Sequence, residues 1–548
     1  MKKIIQEANW FLHQKVYVTA LALTAACSYG FAVTHHSIGI DDTAMMLYLE
    51  DGLEVAMGRW TVFLLNRVFH MAGFSPFMLE LIGVVLLMLG VTLFGVFMRR
   101  IFGGRGGIAG YTIFACVFLS NPIISEVYIY YFHNGVDLGY VLCALALLFF
   151  LNGLEGAGRK RWAWFGGSLL WIWAAVGCYE SFLIVYILGI LILLFLRGAT
   201  GQEVLSLSHG AFCLGVGALL SAGCVILRTV MIPTVIALFG LQDVVGVQAM
   251  RSLSEMLVLF GSREGLDNLL MLAKRFWLLY HVNAFVYLPV TGYVLALFLT
   301  GILALYMAVK KRNFLYLVLF GGMEIVPFLM TIAEAKVTNY RTCQFLPFFT
   351  AVGMLVLYML FEKRKFVRVW RYGAIFLATA LVYNQADRMN RSFYADYQKY
   401  ENTREILNQV AWQVESRYGT DMPVIFTGYY DTPFEFRKDF YVSYSSWQYR
   451  AIAGMADLVD VHLKEKYFAP EGYSFVGEAL SSFIAWGVGA FDGTNREMIR
   501  FLEMHGHALR TVTDPEVIEE AQEIGETMPK WPREGSITEQ DGYILIHM

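Results

Sequence analysis

The sequence predicts an α-helical polytopic membrane protein with about eleven transmembrane helices, its N-terminus inside and its C-terminus outside, carrying a small extracytoplasmic α/β domain at the C-terminal end. Three observations predict this. Of 548 residues, 57% are hydrophobic and 16% charged, whereas soluble domains carry about 25% charged residues. Apolar runs recur at the roughly 20-residue length that crosses a bilayer. Charge is divided: residues 387–548 hold 15 basic and 26 acidic residues, a net of −11, whereas residues 1–386 hold 27 basic and 19 acidic, a net of +8.

The runs lie near 16–34, 78–98, 107–122, 135–152, 162–178, 181–197, 207–232, 284–309, 313–332, 342–361 and 371–386. The first is longer than a signal-peptide h-region, and SYGFAVTHH is a poor cleavage site, so it is retained as a helix. Alternate connections read MKK, RRIFGGR, GRKRW, KKR and EKRKFVRVWR, while those between are mixed or acidic. The positive-inside bias puts the basic set in the cytoplasm. GGRGG at 103–107 is a cytoplasmic turn. The membrane body is thus residues 1–386, with large external loops at 35–77 and 233–283, and the external domain is 387–548. In that domain TREILNQVAWQVESRYG, MADLVDVHLKEKY, TNREMIRFLEMHG and PEVIEEAQEIGE have helical spacing, while MPVIFTGYYD and the terminal YILIHM read as strands.

Long external loops point to a site at the outer face. In the first, Thr43 to Met57 reads as an amphipathic helix with Met45, Met46, Leu49, Leu53 and Met57 in one stripe and Glu50, Asp51 and Glu54 away from it. Such a helix lies along the membrane surface. In the fourth, SLSEMLVLFG and LDNLLMLAKRFWLLYH suit an interfacial helix whose Lys274 and Arg275 face anionic headgroups. All seven cysteines fall within or at the ends of apolar runs, where they act as small buried hydrophobes, and the external domain has none to cross-link. No CxxC, HExxH, Walker loop or strand-linked GxGxxG occurs. No nucleic-acid partner is expected.

Four segments together carry a resemblance. The first external loop contains HHSIGIDDTAMMLYLEDGLEVAMGRW; SNPIISEVYIYYFHNGVDLGY precedes the fourth helix; CYESFL follows; NYRTCQFLPFF enters a late helix. In these the membrane body resembles the bacterial serotype-converting glucosyltransferases of the Gtr type, which are GT-C membrane glycosyltransferases. The resemblance implies a hexose, glucose, carried on a polyprenyl (undecaprenyl) phosphate donor at the outer face of the bacterial cytoplasmic membrane, and an acceptor hydroxyl on a cell-surface glycan. It also implies an acidic catalytic base at the start of the first external loop, where Asp41 and Asp42 stand.

The chemistry asks for the same residue types. A sugar hydroxyl needs a carboxylate to take its proton as the glycosidic bond forms. The departing lipid phosphate needs cations placed in advance, and the planar fork of Arg suits it. Arg59, Arg67, Lys274, Arg275, Lys336 and Arg341 are the outer-side cations. Glu180, an acid in apolar surroundings near an outer helix end, could approach the donor sugar; Asp137, Glu126 and His133 border the second external loop; Glu324 lies deeper and reads as structural. Each has a plainer reading. Asp42 suits an N-cap, Arg341 could snorkel, Arg59 could pair with Glu54 or Glu50, and loop polar residues are commonly solvated. Asp41, Asp42 and Glu50 would be the carboxylates for a divalent cation, Mg or Mn, although no ligand spacing compels one. His35–His36 is half of a metal site and reads better as an interfacial pair. A transporter or lipid-linked-sugar flippase is the alternative, for which broken helices in matching halves would be the mark. A membrane scaffold would explain the external domain without explaining acids and cations on one face.

Overall fold

The computed structural model describes residues 2–37, 53–56, 58–69, 76–128, 134–241, 270, 273, 288–329, 342–360, 366–428 and 495–548. Among them each of the eleven apolar runs falls on a helix. The chain opens with α1 (Lys2–Leu12) and α2 (Lys15–Thr34), then α3 (Leu53–Ala56), α4 (Trp60–Phe69), α5 (Pro76–Ile101), α6 (Gly107–Leu119), α7 (Ser125–Tyr128) and α8 (Asn134–Glu155). There follow α9 (Gly158–Val176), α10 (Phe182–Thr200), α11 (Leu207–Phe239), α12 (Leu288–Lys311), α13 (Leu315–Ile325), α14 (Phe345–Met359) and α15 (Val367–Tyr418). Six of these, α2, α5, α8, α10, α11 and α12, are long and apolar enough to cross a membrane; α6, α13 and α14 are apolar but shorter.

The basic connections gather at one end of this bundle. Glu155 at the end of α8 accepts from Arg100 of α5 at 2.5 Å and Arg197 of α10 at 3.2 Å, with Lys3 of α1 at 3.8 Å. Arg197 also meets Glu203 at 2.8 Å. Arg99 stands over the Trp10 ring at 4.2 Å. The turn after α5 has Gly103, Gly104, Gly106 and Gly107 at positive φ, the backbone a side chain would resist. At the opposite end, Tyr29 donates to the Leu119 carbonyl at 2.7 Å, Ser120 to Gln385 Oε1 at 2.8 Å, and Tyr140 to Gln344 Oε1 at 2.6 Å. Each of these satisfies a buried polar group across two helices, which apolar surroundings require.

Four features differ from the sequence expectation. The first external loop, expected over 35–77, contains α4, whose Trp60, Thr61, Val62, Phe63 and Asn66 are buried. The run at 207–232 does not stop at Pro233: α11 continues to Phe239 with Pro233 inside it. A proline removes one backbone donor, and a helix packed on neighbours tolerates that loss. Ahead of the first run, residues 2–12 form a helix that buries Ile4 and Phe11 against the bundle. The 386/387 boundary falls inside α15, which runs 52 residues without interruption. Its first half buries Ala374, Ala378, Met389 and Phe393 on the bundle, and its second half buries Leu407, Val410, Ala411 and Val414 in the C-terminal domain. Ser37 donates to Asp396, and Asn390 to the Cys27 carbonyl, pinning the helix to α2 and the residues after it.

The C-terminal domain is a three-layer α/β unit. Strand β1 (Val424–Thr427) pairs in parallel with β3 (Tyr543–His547), which pairs antiparallel with β2 (Ile537–Gln540). Helices α16 (Arg496–Met504) and α17 (Pro515–Thr527) complete it. Strand period two sorts the core: Val424, Phe426, Ile544 and Ile546 meet α15 and α16, while Ile425, Tyr543 and Leu545 meet Ala521 and Ile524 of α17. The β2–β3 hairpin, not foreseen from the sequence, turns at Asp541–Gly542 with Gly542 at φ 93°. MADLVDVHLKEKY, SLSEMLVLFG and most of LDNLLMLAKRFWLLYH lie outside the described residues.

Removing one partner from a buried ion pair strands the other charge. Glu155→Ala is expected to cost about 3 kcal/mol, the lower end for such a change, because Glu155 is itself a third exposed while Arg100 is buried. The measurement is thermal unfolding of the detergent-solubilised protein, and an unchanged midpoint would mean that Arg100 and Arg197 do not depend on Glu155.

Candidate functional site

Three segments converge at the end of the bundle opposite Glu155: the turn between α3 and α4, the turn between α9 and α10, and the middle of α11. The Thr61 amide donates to the Gly177 carbonyl at 3.0 Å, and the Thr61 hydroxyl to the Ala174 carbonyl at 2.9 Å. Trp60 and Trp173 lie 4.4 Å apart. This closeness needs a glycine at 177, where a Cβ would come within 2.3 Å of Thr61 Oγ1 and 2.4 Å of the Trp60 ring. Gly135 at the start of α8 likewise admits Val62, since a Cβ there would lie 2.5 Å from Val62 Cγ2. So α4 is wedged between α8 and α9 although it follows a polar loop. Beneath it Val55, Trp60 and Phe63 pack with Val235 and Leu241.

On this scaffold stand two acids and two cations. Glu54, on α3, is 1% exposed; its Oε1 accepts from Asn66 Nδ2 of α4 at 3.2 Å, and its Oε2 is buried with no hydrogen-bond partner among the described residues. The sequence expectation set Glu54 on the outward polar face of an amphipathic helix. The structure buries it instead, with Asn66 and the charges of Arg59 and Arg67 offsetting part of the cost. Of the plainer partners Glu54 and Glu50, Arg59 makes no ion pair with Glu54 among the described residues, and Glu50 lies outside them. Its guanidinium stands over the Tyr179 ring at 5.0 Å, and its Nε has no hydrogen-bond partner there. Glu180, in the turn after α9, also keeps a buried, unpartnered Oε2 among the described residues. Arg228, inside the apolar α11, lays its guanidinium on Gly58: a Cβ at Gly58 would be 2.0 Å from Arg228 Nη2. Gly58 has φ 83°, so both its backbone and the close approach require glycine.

Asp137 lies apart from this group, in the first turn of α8. It is 1% exposed and lies within electrostatic reach of the Tyr29, Tyr128 and Tyr140 hydroxyls. Glu80 of α5 borders Tyr128 as well. Val62 against Gly135 links the two groups. Glu324 borders Tyr293 on α12. His35 stacks on Phe31 at 4.1 Å beside Tyr397. Among the described residues no three His, Cys, Asp or Glu side chains are grouped to hold a metal ion. Asp41, Asp42, Glu50, His133, Lys274, Arg275, Lys336 and Arg341 lie outside the described residues, and so does the side chain of Glu126.

The arrangement suits a polar ligand carrying both hydroxyls and an anionic group. Carboxylate oxygens of Glu54 and Glu180 can accept from hydroxyls, and the free donors of Arg59 and Arg228 can meet an anion. Sequence reasoning named Arg59, Glu180 and Asp137 and missed Arg228 and the buried state of Glu54. Arg228 had a signal: an arginine inside a run such as VILRTVMIP is costly in hydrocarbon and marks a functional position. A family model described as Glucosyl transferase GtrII matches residues 30–359, which include all of these side chains. No curated protein and no solved structure matches the chain.

Burial holds the Glu54 carboxyl above its ordinary value of 4.5, against hydrogen bonds and the nearby Arg59 and Arg67 that pull it down. The native state therefore keeps the proton to higher pH than the unfolded chain, and this group's contribution to stability falls as pH rises from about 4.5 through the native value. Glu54→Gln retains an acceptor for Asn66 and has no charge to bury. Its unfolding midpoint is expected to match wild type at low pH and to lie above it near neutrality, as checked by thermal unfolding from pH 4 to 8. Coincident curves would mean that burial does not raise the Glu54 carboxyl.

Proposed function

The chain belongs to the GtrII glucosyl transferase family and is a membrane glycosyltransferase; we propose that it moves glucose from a polyprenyl phosphate, undecaprenyl phosphate in a bacterial membrane, to a hydroxyl of an extracytoplasmic cell-surface glycan. The observation that carries this reading is the family match over residues 30–359, which takes in the first external loop and the polar cluster described above. The basic connections gathered around Glu155 support a cytoplasmic assignment for that end. The active site is then at the outer face, with eleven spans, N-terminus inside and C-terminus outside. An apolar body suits a prenyl chain, and a polar cluster at one end suits its phosphate.

The reaction is a single displacement at the anomeric carbon. The acceptor hydroxyl gives its proton to an Asp carboxylate, Asp42 or its neighbour Asp41, as its oxygen bonds to C1. The C1–O bond to phosphate breaks and its electron pair leaves with the lipid phosphate, so one base suffices and configuration inverts. Arg59, Lys274, Arg275, Lys336 and Arg341 are the cations proposed to meet the developing phosphate charge. Glu180, Asp137 and His133 are proposed to hold donor or acceptor hydroxyls. The C-terminal domain, joined to the body by α15, is proposed to bind the acceptor glycan.

Purified protein in detergent, given radiolabelled glucose on undecaprenyl phosphate, is expected to turn the donor over. Asp42→Asn should lower the rate by about 10²- to 10⁴-fold, the range for loss of a general base, with donor binding retained. Asp41→Asn should show the smaller loss. No turnover and no binding with any polyprenyl-phosphate sugar would instead favour a transporter or flippase.

A further inference from the structure

Resting on the reading above, we infer that Arg228, whose guanidinium lies against Gly58, and Arg59, the residue after that glycine, form the seat of the donor's phosphate at the outer boundary of the hydrocarbon. Arg228 occupies an unusual place. It lies on the inward stripe of α11 with Cys224 and Val235, while Val225, Ile226 and Val230 around it are exposed on the outer surface of the bundle. A lone arginine there would be expected either to pair with an acid or to snorkel along the helix to water. Among the described residues it has no ion-pair partner, its Nε is buried without a hydrogen bond, and its Nη2 rests on Gly58.

Depth identifies the ligand's level. Counted from Leu207 at the start of α11, Arg228 lies about 32 Å along the axis at roughly 1.5 Å per residue, close to the ~30 Å thickness of bilayer hydrocarbon. Leu207 follows the connection that bears Glu203 and faces Arg197, at the end where Glu155 gathers its cations. The guanidinium of Arg228 is therefore at the height of lipid phosphates on the other side. The residue after Gly58 is Arg59, held by its amide to the Glu54 carbonyl at 2.6 Å and by its guanidinium to Tyr179. Arg228 against Gly58 and Arg59 next to that glycine in the chain each keep an Nε without a hydrogen bond, and in the inferred seat their forked donor sets meet a single phosphate.

Neutral replacement of one such donor set should weaken phosphate binding roughly ten- to hundredfold. The test measures binding of radiolabelled undecaprenyl phosphate, the product lipid, to wild type, Arg228→Gln and Arg59→Gln in nanodiscs. Both variants are expected to lose affinity by that factor while eluting as folded monodisperse protein. Should Arg228→Gln fail to fold, Arg228→Lys serves: a point charge cannot make the fork, so a several-fold loss is expected and unchanged affinity overturns the inference. Phosphatidylglycerol and inorganic phosphate are expected to compete poorly. Equal competition by phosphatidylglycerol would make the pair a general headgroup contact and overturn the assignment. Wild type that binds undecaprenyl phosphate alongside an Arg228→Gln variant that binds it equally overturns this inference alone. Wild type that binds no polyprenyl phosphate overturns the proposed polyprenyl phosphate donor with it.

Discussion

Hydrocarbon offers no hydrogen-bond partner, and that constraint shapes nearly every feature of this chain. Backbone N–H and C=O groups in the apolar runs must be satisfied within their own segment, so each run becomes a helix. Departures from helix are confined to places where another element supplies the missing partner. The turn after α9 is one: its Gly177 carbonyl takes the Thr61 amide from a segment more than a hundred residues earlier. That bond joins α4 to the bundle, and with it the turn bearing Arg59 and the helix bearing Glu54. Thus the rule that makes the bundle helical also decides where a polar site can be assembled.

The two ends of the bundle handle charge differently. Around Glu155 carboxylate meets guanidinium directly, an arrangement that holds α1, α5, α8 and α10 in register. At the opposite end Glu54, Glu180, Arg59 and Arg228 share one neighbourhood, yet form no ion pair with one another among the described residues. Buried polar atoms left without a hydrogen bond among the described residues, here Oε2 of Glu54 and Glu180 and Nε of Arg59 and Arg228, are expensive, and such an expense is characteristic of positions set aside for a ligand. Paired charge suits a fixed joint, whereas unpaired charge suits a site that exchanges occupants.

Much of the membrane body was legible because hydrophobic runs of bilayer length carry their meaning locally. The glycine turn at 103–107, the strands at 424–427 and 543–547, and the family resemblance read from four short motifs were legible for the same reason, and the family match agrees with that resemblance. The misses have a common cause. WTVFLLNRVF is too short to span and follows a polar loop, so only its packing against Gly135 and Gly177 reveals α4 as a buried helix. Glu54 looks solvated on a helical wheel because a wheel cannot show Asn66 arriving from another element. Arg228 was hidden within an otherwise apolar run. The charge step near residue 387 is real, but it records where α15 leaves apolar surroundings, not where a helix ends.

That uninterrupted helix makes the C-terminal domain a head mounted on a fixed shaft. An α-helix advances about 1.5 Å and turns about 100° per residue, so the 52 residues of α15 set both the height and the facing of the β1–β3–β2 sheet relative to the bundle. Adding or removing a single residue between Phe393 and Leu407 would scarcely alter the height and would swing the domain by more than a quarter turn. Length changes in this stretch would therefore reorient the sheet in steps of about 100° while leaving the helical bundle untouched.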